Sequence, residues 1–318
     1  MHGNRKRNIG EQFFTNRIIL KGDLEEMFKR LISILILLII TVVTLSPTSG
    51  AVREPVETFD NLAKIYGEQY LYNKDSYAWG ESYNMMAFAT MYEATKDVKY
   101  LRTLNRHIRI VFSKRDDIMK QKDYRGILMP AWGSMNYTNG KHYVWTVHTG
   151  MITYPIAKFV RLVYEDKALW YEFKEDADNY LELVIESTLA HEPDFLDGPG
   201  EDEGYYTYGK DYRDLGIIYE NLPLNQQNAI GRTFVELYRI TGEEKYLERV
   251  RKLARFTKNR LFLLPNEAYA WMYWMDPRFE YNGPIEIDAE AQERLANSAE
   301  DISHGAITVD FAVEAHRI

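Results

Sequence analysis

Met91–Lys114 reads MYEATKDVKYLRTLNRHIRIVFSK, and Leu237–Arg260 reads LYRITGEEKYLERVRKLARFTKNR. In each, an apolar-periodic segment ends in an aromatic followed by Thr, a short polar turn follows, and a second segment restarts at Lys-Tyr-Leu. That is the pattern of a helical hairpin. A looser copy, RLVYEDKALWYEFKEDADNYLELV, carries Tyr164 where the others carry Tyr92 and Tyr238, and EDISHGAITVDFAVEAHRI brings His316 to the same place. The steps between these four positions are 72, 74 and 78 residues. Self-similarity at a nearly fixed period marks stacked supersecondary units. The spacing exceeds that of common solenoid repeats and leaves room in each unit for an inner helix, an outer helix and a long loop. The predicted fold class is all-α.

Four inner helices are expected at Glu81–Thr95, Thr149–Glu165, Gln227–Thr241 and Ser303–Ile318. They are apolar around much of their circumference and hold Ala, Gly or Met in their middles, the signature of an interior position. Lys99–Lys114, Ala168–Ser187 and Glu244–Arg260 are amphipathic and charged, which suits an outer layer. A further helix is expected within Val56–Tyr72, where Phe59, Leu62, Ala63 and Tyr66 recur at helical spacing. The long loops Asp116–His148, Leu189–Asn225 and Phe262–Glu300 all lead into inner-helix N-termini. Loops above ~15 residues in a compact domain are commonly functional, so one rim of the assembly is where a site is expected.

The first fifty residues read as a targeting segment rather than as part of this fold. Lys29 and Arg30 precede an apolar run from Leu31 to Leu45, and Ser49-Gly50-Ala51 supplies small residues for cleavage. The run of 15 residues is short against the ~20 needed to cross a bilayer. A cleaved secretory signal is expected, placing the protein outside the cell or in the envelope; left uncleaved, the same segment would anchor it to a membrane. The polar stretch before it suggests translation starting at Met27, since Glu25-Glu26 can be encoded with a ribosome-binding sequence. The domains are then 1–51, extension and signal, and 52–318, the helical domain. Without 1–51 the chain has 32 basic and 43 acidic residues, a net charge of −11. Nucleic acid is a poor partner for such a chain, because affinity there comes from Lys and Arg on phosphates. A sequence without Cys has no disulfides, thiol nucleophile or thiolate metal site.

The segments YAWGESYNMMAFATMYEATKDVKYL, NLPLNQQNAIGRTFVELYRITGEEKYL and AEDISHGAITVDFAVEA, set in this alternation of helices, resemble the six-hairpin α/α toroid superfamily. Its members include glycoside hydrolases, polysaccharide lyases and sugar epimerases. The resemblance covers most of Val56–Ile318 as architecture and implies a carbohydrate substrate bound where loops and inner-helix ends meet. A closed toroid of six hairpins has twelve helices, whereas eight are read here. The toroid is therefore expected to be partial, from a truncated gene product or one completed by a second chain.

Polar residues recur at the inferred rim. The catalytic candidates are Glu81, Asn84, Tyr143, His148, Asp301 and His304; the substrate-binding candidates are Trp132, Tyr137, Trp145, Tyr205, Tyr206, Asn228 and Trp271. Aromatic rings stack on the apolar faces of sugars, so loops this rich in Tyr and Trp suit a glycan groove. Three chemistries fit. In a uronate-polysaccharide lyase, Asn or His neutralises the carboxylate while Tyr or His removes the C5 proton. In a hydrolase, Glu81 and Asp301 flank the glycosidic bond. In an epimerase, His148 and His304 exchange a proton on opposite sugar faces. Tyr, His and Asn outnumber carboxylates at the rim, which ranks the lyase first. A non-catalytic glycan-binding module would use the same aromatic groove. No cofactor fingerprint is present: HExxH, Walker, dinucleotide and GxSxG patterns are absent. DFLDGPGEDEG is read as a solvated acidic turn rather than a calcium loop, so no metal is expected.

Overall fold

The structure is a computed structural model that describes residues 53–210, 212–275, 283, 285–286, 293, 295 and 297–318. The proposed signal segment and start site lie outside these residues. The chain divides between Ile65 and Tyr66 into two compact units. Of the first unit, the described part is helix α1, Arg53–Tyr66, which ends on the first residue of the second unit.

The second unit is mostly helical. Its long helices are α2 (Ser82–Thr95), α3 (Lys99–Ser113), α5 (Thr146–Glu165), α6 (Trp170–Leu189), α7 (Leu224–Thr241), α8 (Glu244–Asn259) and α9 (Ile302–His316), with a single turn, α4, at Asp116–Met119. The helices read from the repeats are all present, within a few residues at each end. Short strands fill the loops. β1 (Phe195–Asp197) pairs antiparallel with β2 (Gly204–Tyr206), setting Phe195 opposite Tyr206, while β3 (Phe262–Leu263) pairs with β4 (Tyr269–Ala270) and β5 (Ile285–Glu286).

The repeated letters encode a repeated turn. Lys96 donates its backbone N–H to the Tyr92 carbonyl at 2.7 Å, and Gly242 to the Tyr238 carbonyl at 2.8 Å, both in the left-handed region that ends helices. Thr95 donates its hydroxyl to the Met91 carbonyl and accepts from the Asp97 N–H; Thr241 does the same between Leu237 and Glu243. The aromatic-plus-Thr signature is thus a helix stop with an outgoing hydrogen bond that starts the next helix. In the looser copy Asp166 takes over, accepting from the Ala168 N–H at 2.9 Å.

The four helices expected to be inner, α2, α5, α7 and α9, pack side by side in chain order, with α3, α6 and α8 each packed against the one that precedes it; α5 and α7 are largely buried, whereas α9 buries one face and leaves Ile302, Ala306, Val309 and Val313 exposed. Small residues set the spacing. A β-carbon on Gly150 of α5 would lie 2.3 Å from the Ile230 backbone nitrogen of α7, and one on Gly231 would strike the Phe311 ring of α9. Near their C-terminal ends the inner helices share a ladder of alternating charge. Arg161 pairs with Glu93 and Glu236, Arg239 with Glu236 and Glu314, and Arg317 with Glu314, at 2.6 to 3.2 Å. Among the described residues, no helix is long and apolar enough to cross a membrane.

Candidate active site

Directly before α2 the backbone widens into a π-helical turn, Tyr77–Glu81, a distortion that often marks functional positions. It presents Trp79, half-buried, among residues from three other segments. The His148 ring, in the first turn of α5, stands edge-on to Trp79 with centroids 6.1 Å apart, and the His304 ring, in the first turn of α9, does so at 6.3 Å. Tyr273 packs against His304 at 5.4 Å, and Trp145 against His148 at 6.1 Å. Residues far apart in sequence therefore meet around one indole, at the N-terminal ends of the inner helices.

The ionisable groups here differ in state. Asp301 caps α9 by accepting from the Ser303 and His304 N–H groups, and its second oxygen accepts from His304 Nδ1. The hydrogen bonds from Ser303 and His304 hold the Asp301 carboxyl well below the usual range. An ionised carboxylate on Nδ1 fixes the tautomer of His304, leaving the Nε2 lone pair free, and a base oriented by a third group is the standard arrangement for proton transfer. His304 remains partly exposed. His148 is buried, and desolvation lowers its pKa to about 3, so it is neutral at ordinary pH. Burial raises the Tyr273 hydroxyl, with the Gln226 hydrogen bond opposing the shift, so this phenol carries its proton at neutral pH.

Glu300 serves the scaffold. It accepts from the Asn225 N–H in the first turn of α7 at 3.2 Å, from Thr308 at 2.9 Å and from Trp271 Nε1. A carboxylate there complements the helix dipole, while burial raises its pKa. Asn225 is buried with neither side-chain atom hydrogen-bonded, as is Trp145 Nε1. Tyr273 also borders a cavity of about 790 Å³ whose aromatic wall comprises Tyr205, Tyr212, Tyr219 and Trp274. Tyr219 and Trp274 stand 5.1 Å apart.

The remaining candidates divide. Tyr137 is 76% exposed. Its φ of 63° is a costly left-handed conformation for an aromatic residue, the kind that functional segments retain. Tyr205 lines the cavity, and half-buried Trp271 is tied to Glu300. Glu81 is fully buried, with one oxygen on His107 Nδ1 at 2.5 Å and the other on Asn84 Nδ2 at 3.4 Å. Asn84 also donates to the Gly67 carbonyl. The two tie the start of α2 to the middle of α3 and to Gly67. Tyr143 spends its hydroxyl proton on the Tyr208 carbonyl at 3.1 Å, and burial pushes its pKa up. Trp132, Tyr206 and Asn228 are core residues: Trp132 donates to the Val111 carbonyl, Tyr206 accepts from Arg249, and Asn228 accepts from Thr257. The acidic turn is held by cations, Glu203 by buried Arg260 and Asp197 by Lys252. Among the described residues no group of three His, Asp or Glu side chains is placed to hold a metal ion.

Sequence reasoning passed over Trp79, though a signal was present in YAWGES. An aromatic beside Gly80 at an inner-helix start is where a ring and a close backbone approach are needed; a β-carbon on Gly80 would lie 2.5 Å from the Tyr70 ring. Comparison with family models and with curated proteins returns no match.

Proposed function

We propose that this chain is an exported carbohydrate-active enzyme of partial α/α-toroid architecture that cleaves a uronate-containing polysaccharide by elimination. The observation that carries the reading is the pairing of His304, oriented by Asp301, with Tyr273 beside the Trp79 indole. His304 Nε2 removes the C5 proton, the resulting enolate-like charge collapses to break the C4–O bond, and protonated Tyr273 supplies the proton to the departing oxygen. Trp79 gives the sugar ring a flat apolar surface, and the aromatic cavity holds neighbouring residues of the chain. Hydrolysis by the carboxylate pair Glu81 and Asp301 is less well supported, because the Glu81 oxygens are held by His107 and Asn84, those of Asp301 by Ser303 and His304, and that mechanism needs a free pair. Epimerisation is the second reading, favoured by two imidazoles on one indole.

Incubation with uronate polysaccharides, followed at the ultraviolet absorbance of a 4,5-unsaturated uronate, tests the proposal. The absorbance is expected to rise with wild type and to fall by about 10²-fold or more for His304→Ala, the usual scale for loss of an acid–base group. Saturated products, or a rate untouched by His304→Ala and Tyr273→Phe, would overturn it. Deuterium incorporation at C5 without chain cleavage would select the epimerase.

A further inference from the structure

The cavity beside Tyr273 has a definite place along a bound sugar chain. Ring contacts lead from Trp79 to His304 at 6.3 Å, from His304 to Tyr273 at 5.4 Å, from Tyr273 to Trp274 at 4.7 Å and from Trp274 to Tyr219 at 5.1 Å. Tyr273, Trp274 and Tyr219 line the cavity, whereas Trp79 and His304 do not. In the elimination proposed above, on which this inference rests, the sugar that loses its C5 proton lies on Trp79 and Tyr273 stands at the departing oxygen. The cavity then receives the sugar that leaves on that oxygen. Its volume of about 790 Å³ falls within the ~300–1,000 Å³ of ordinary ligand pockets.

A single helical turn, Tyr212–Leu215, brings Arg213 to the wall of this cavity. The guanidinium lies over the Tyr212 ring, 5.4 Å from its centroid. Stacking uses the face of a guanidinium and leaves its N–H edge for a ligand. Among the described residues Arg213 has no carboxylate partner; its neighbour Asp214 pairs instead with Lys141, at 3.9 Å. Glu220 is the other charged residue of the lining, and both side chains are exposed. We propose that Arg213 recognises the carboxylate of the departing sugar, so that the substrate is a chain of consecutive uronates rather than one in which uronates alternate with neutral sugars. A guanidinium edge matches a planar carboxylate through two parallel hydrogen bonds, a fit that a neutral sugar hydroxyl does not offer. A polymer of uronates presents such a group on both sides of the bond that breaks. Arg213 is thereby a specificity residue, remote from the proton transfers.

Binding measured by calorimetry in the His304→Ala background, where the oligosaccharide stays intact, tests this. The probes are tetramers of galacturonate, glucuronate, mannuronate and guluronate, and a hyaluronan tetrasaccharide, in which uronate alternates with a neutral amino sugar. At least one uronate tetramer is expected to bind more tightly than the hyaluronan tetrasaccharide. Adding Arg213→Gln is expected to weaken that tetramer by about tenfold, the scale of a bidentate charge-assisted pair, and the hyaluronan tetrasaccharide by less than about twofold. Glu220→Gln, which removes a like charge from the same lining, is expected not to weaken it. Arg213 is exposed, and circular dichroism verifies that its substitution leaves the fold intact. A uronate tetramer that binds equally well with Arg213→Gln would overturn this inference alone, as would equal weakening of both kinds of probe, equal weakening by Glu220→Gln, or tighter binding of the hyaluronan tetrasaccharide. If neither kind of probe binds, the elimination itself falls and takes the inference with it.

Discussion

Lys96 and Gly242 occupy the same place in two copies of one turn, and the chemistry favours glycine at both. A β-carbon in the left-handed region meets the neighbouring carbonyl oxygen, costing about 1 kcal/mol, and Lys96 bears that cost at φ 58° while Gly242 at φ 68° does not. Lys96→Gly is expected to stabilise the fold by roughly 0.5 kcal/mol net of its greater unfolded-state freedom, and Gly242→Ala to destabilise it by about 1 kcal/mol. Urea unfolding of both variants checks the pair. Equal signs would show that the two turns are not equivalent. At this scale the sequence was only partly legible. His148 and His304 could be picked out because helix-start polarity is local. The commitment of Glu81 to His107, or of Tyr143 to Tyr208, depends on residues 26 and 65 positions away and leaves no local trace.

At the scale of elements, the helices were readable because their stop signal is written into contiguous residues, Tyr-x-x-Thr and a polar turn. The loops were not: β1 to β5 are two or three residues each, and their pairings join segments whose letters show no period. The close packing of α5 on α7 yields a sharper expectation. Gly150 lies against backbone, which cannot rotate aside, so Gly150→Val should destabilise by about 3 kcal/mol or more, beyond ordinary overpacking. Val on exposed Ala306 of α9 should change stability by less than about 0.5 kcal/mol. Thermal melts comparing the two variants decide it; similar small shifts for both would mean that α5 and α7 stand further apart than described.

For the whole molecule, two buried histidines set the response to acid. His191, hydrogen-bonded to Thr146 and Thr149, and His148 both have pKa values lowered to about 3 by burial. Their ordinary value is 6.5, so between pH 6.5 and 3 the unfolded chain binds protons that the fold refuses. Stability therefore falls as pH falls through this window, by at most about 1.4 kcal/mol per pH unit for each histidine. Glu300, raised by burial, works in the opposite sense. Urea denaturation at pH 7 and pH 5 should show the loss, and His191→Gln should flatten it; an unchanged slope would place the acid sensitivity elsewhere.

On the proposed function, Trp79, His148, Tyr273 and His304, brought together by three inner-helix ends and one loop, form a saccharide site. The most direct measurement is a crystal structure of His304→Ala bound to a uronate oligosaccharide. A sugar ring is expected stacked on Trp79 with its C5 hydrogen directed at the space vacated by the His304 imidazole, with further sugars against Tyr219 and Trp274. An oligosaccharide bound away from Trp79, or none bound at saturating concentration, would contradict it.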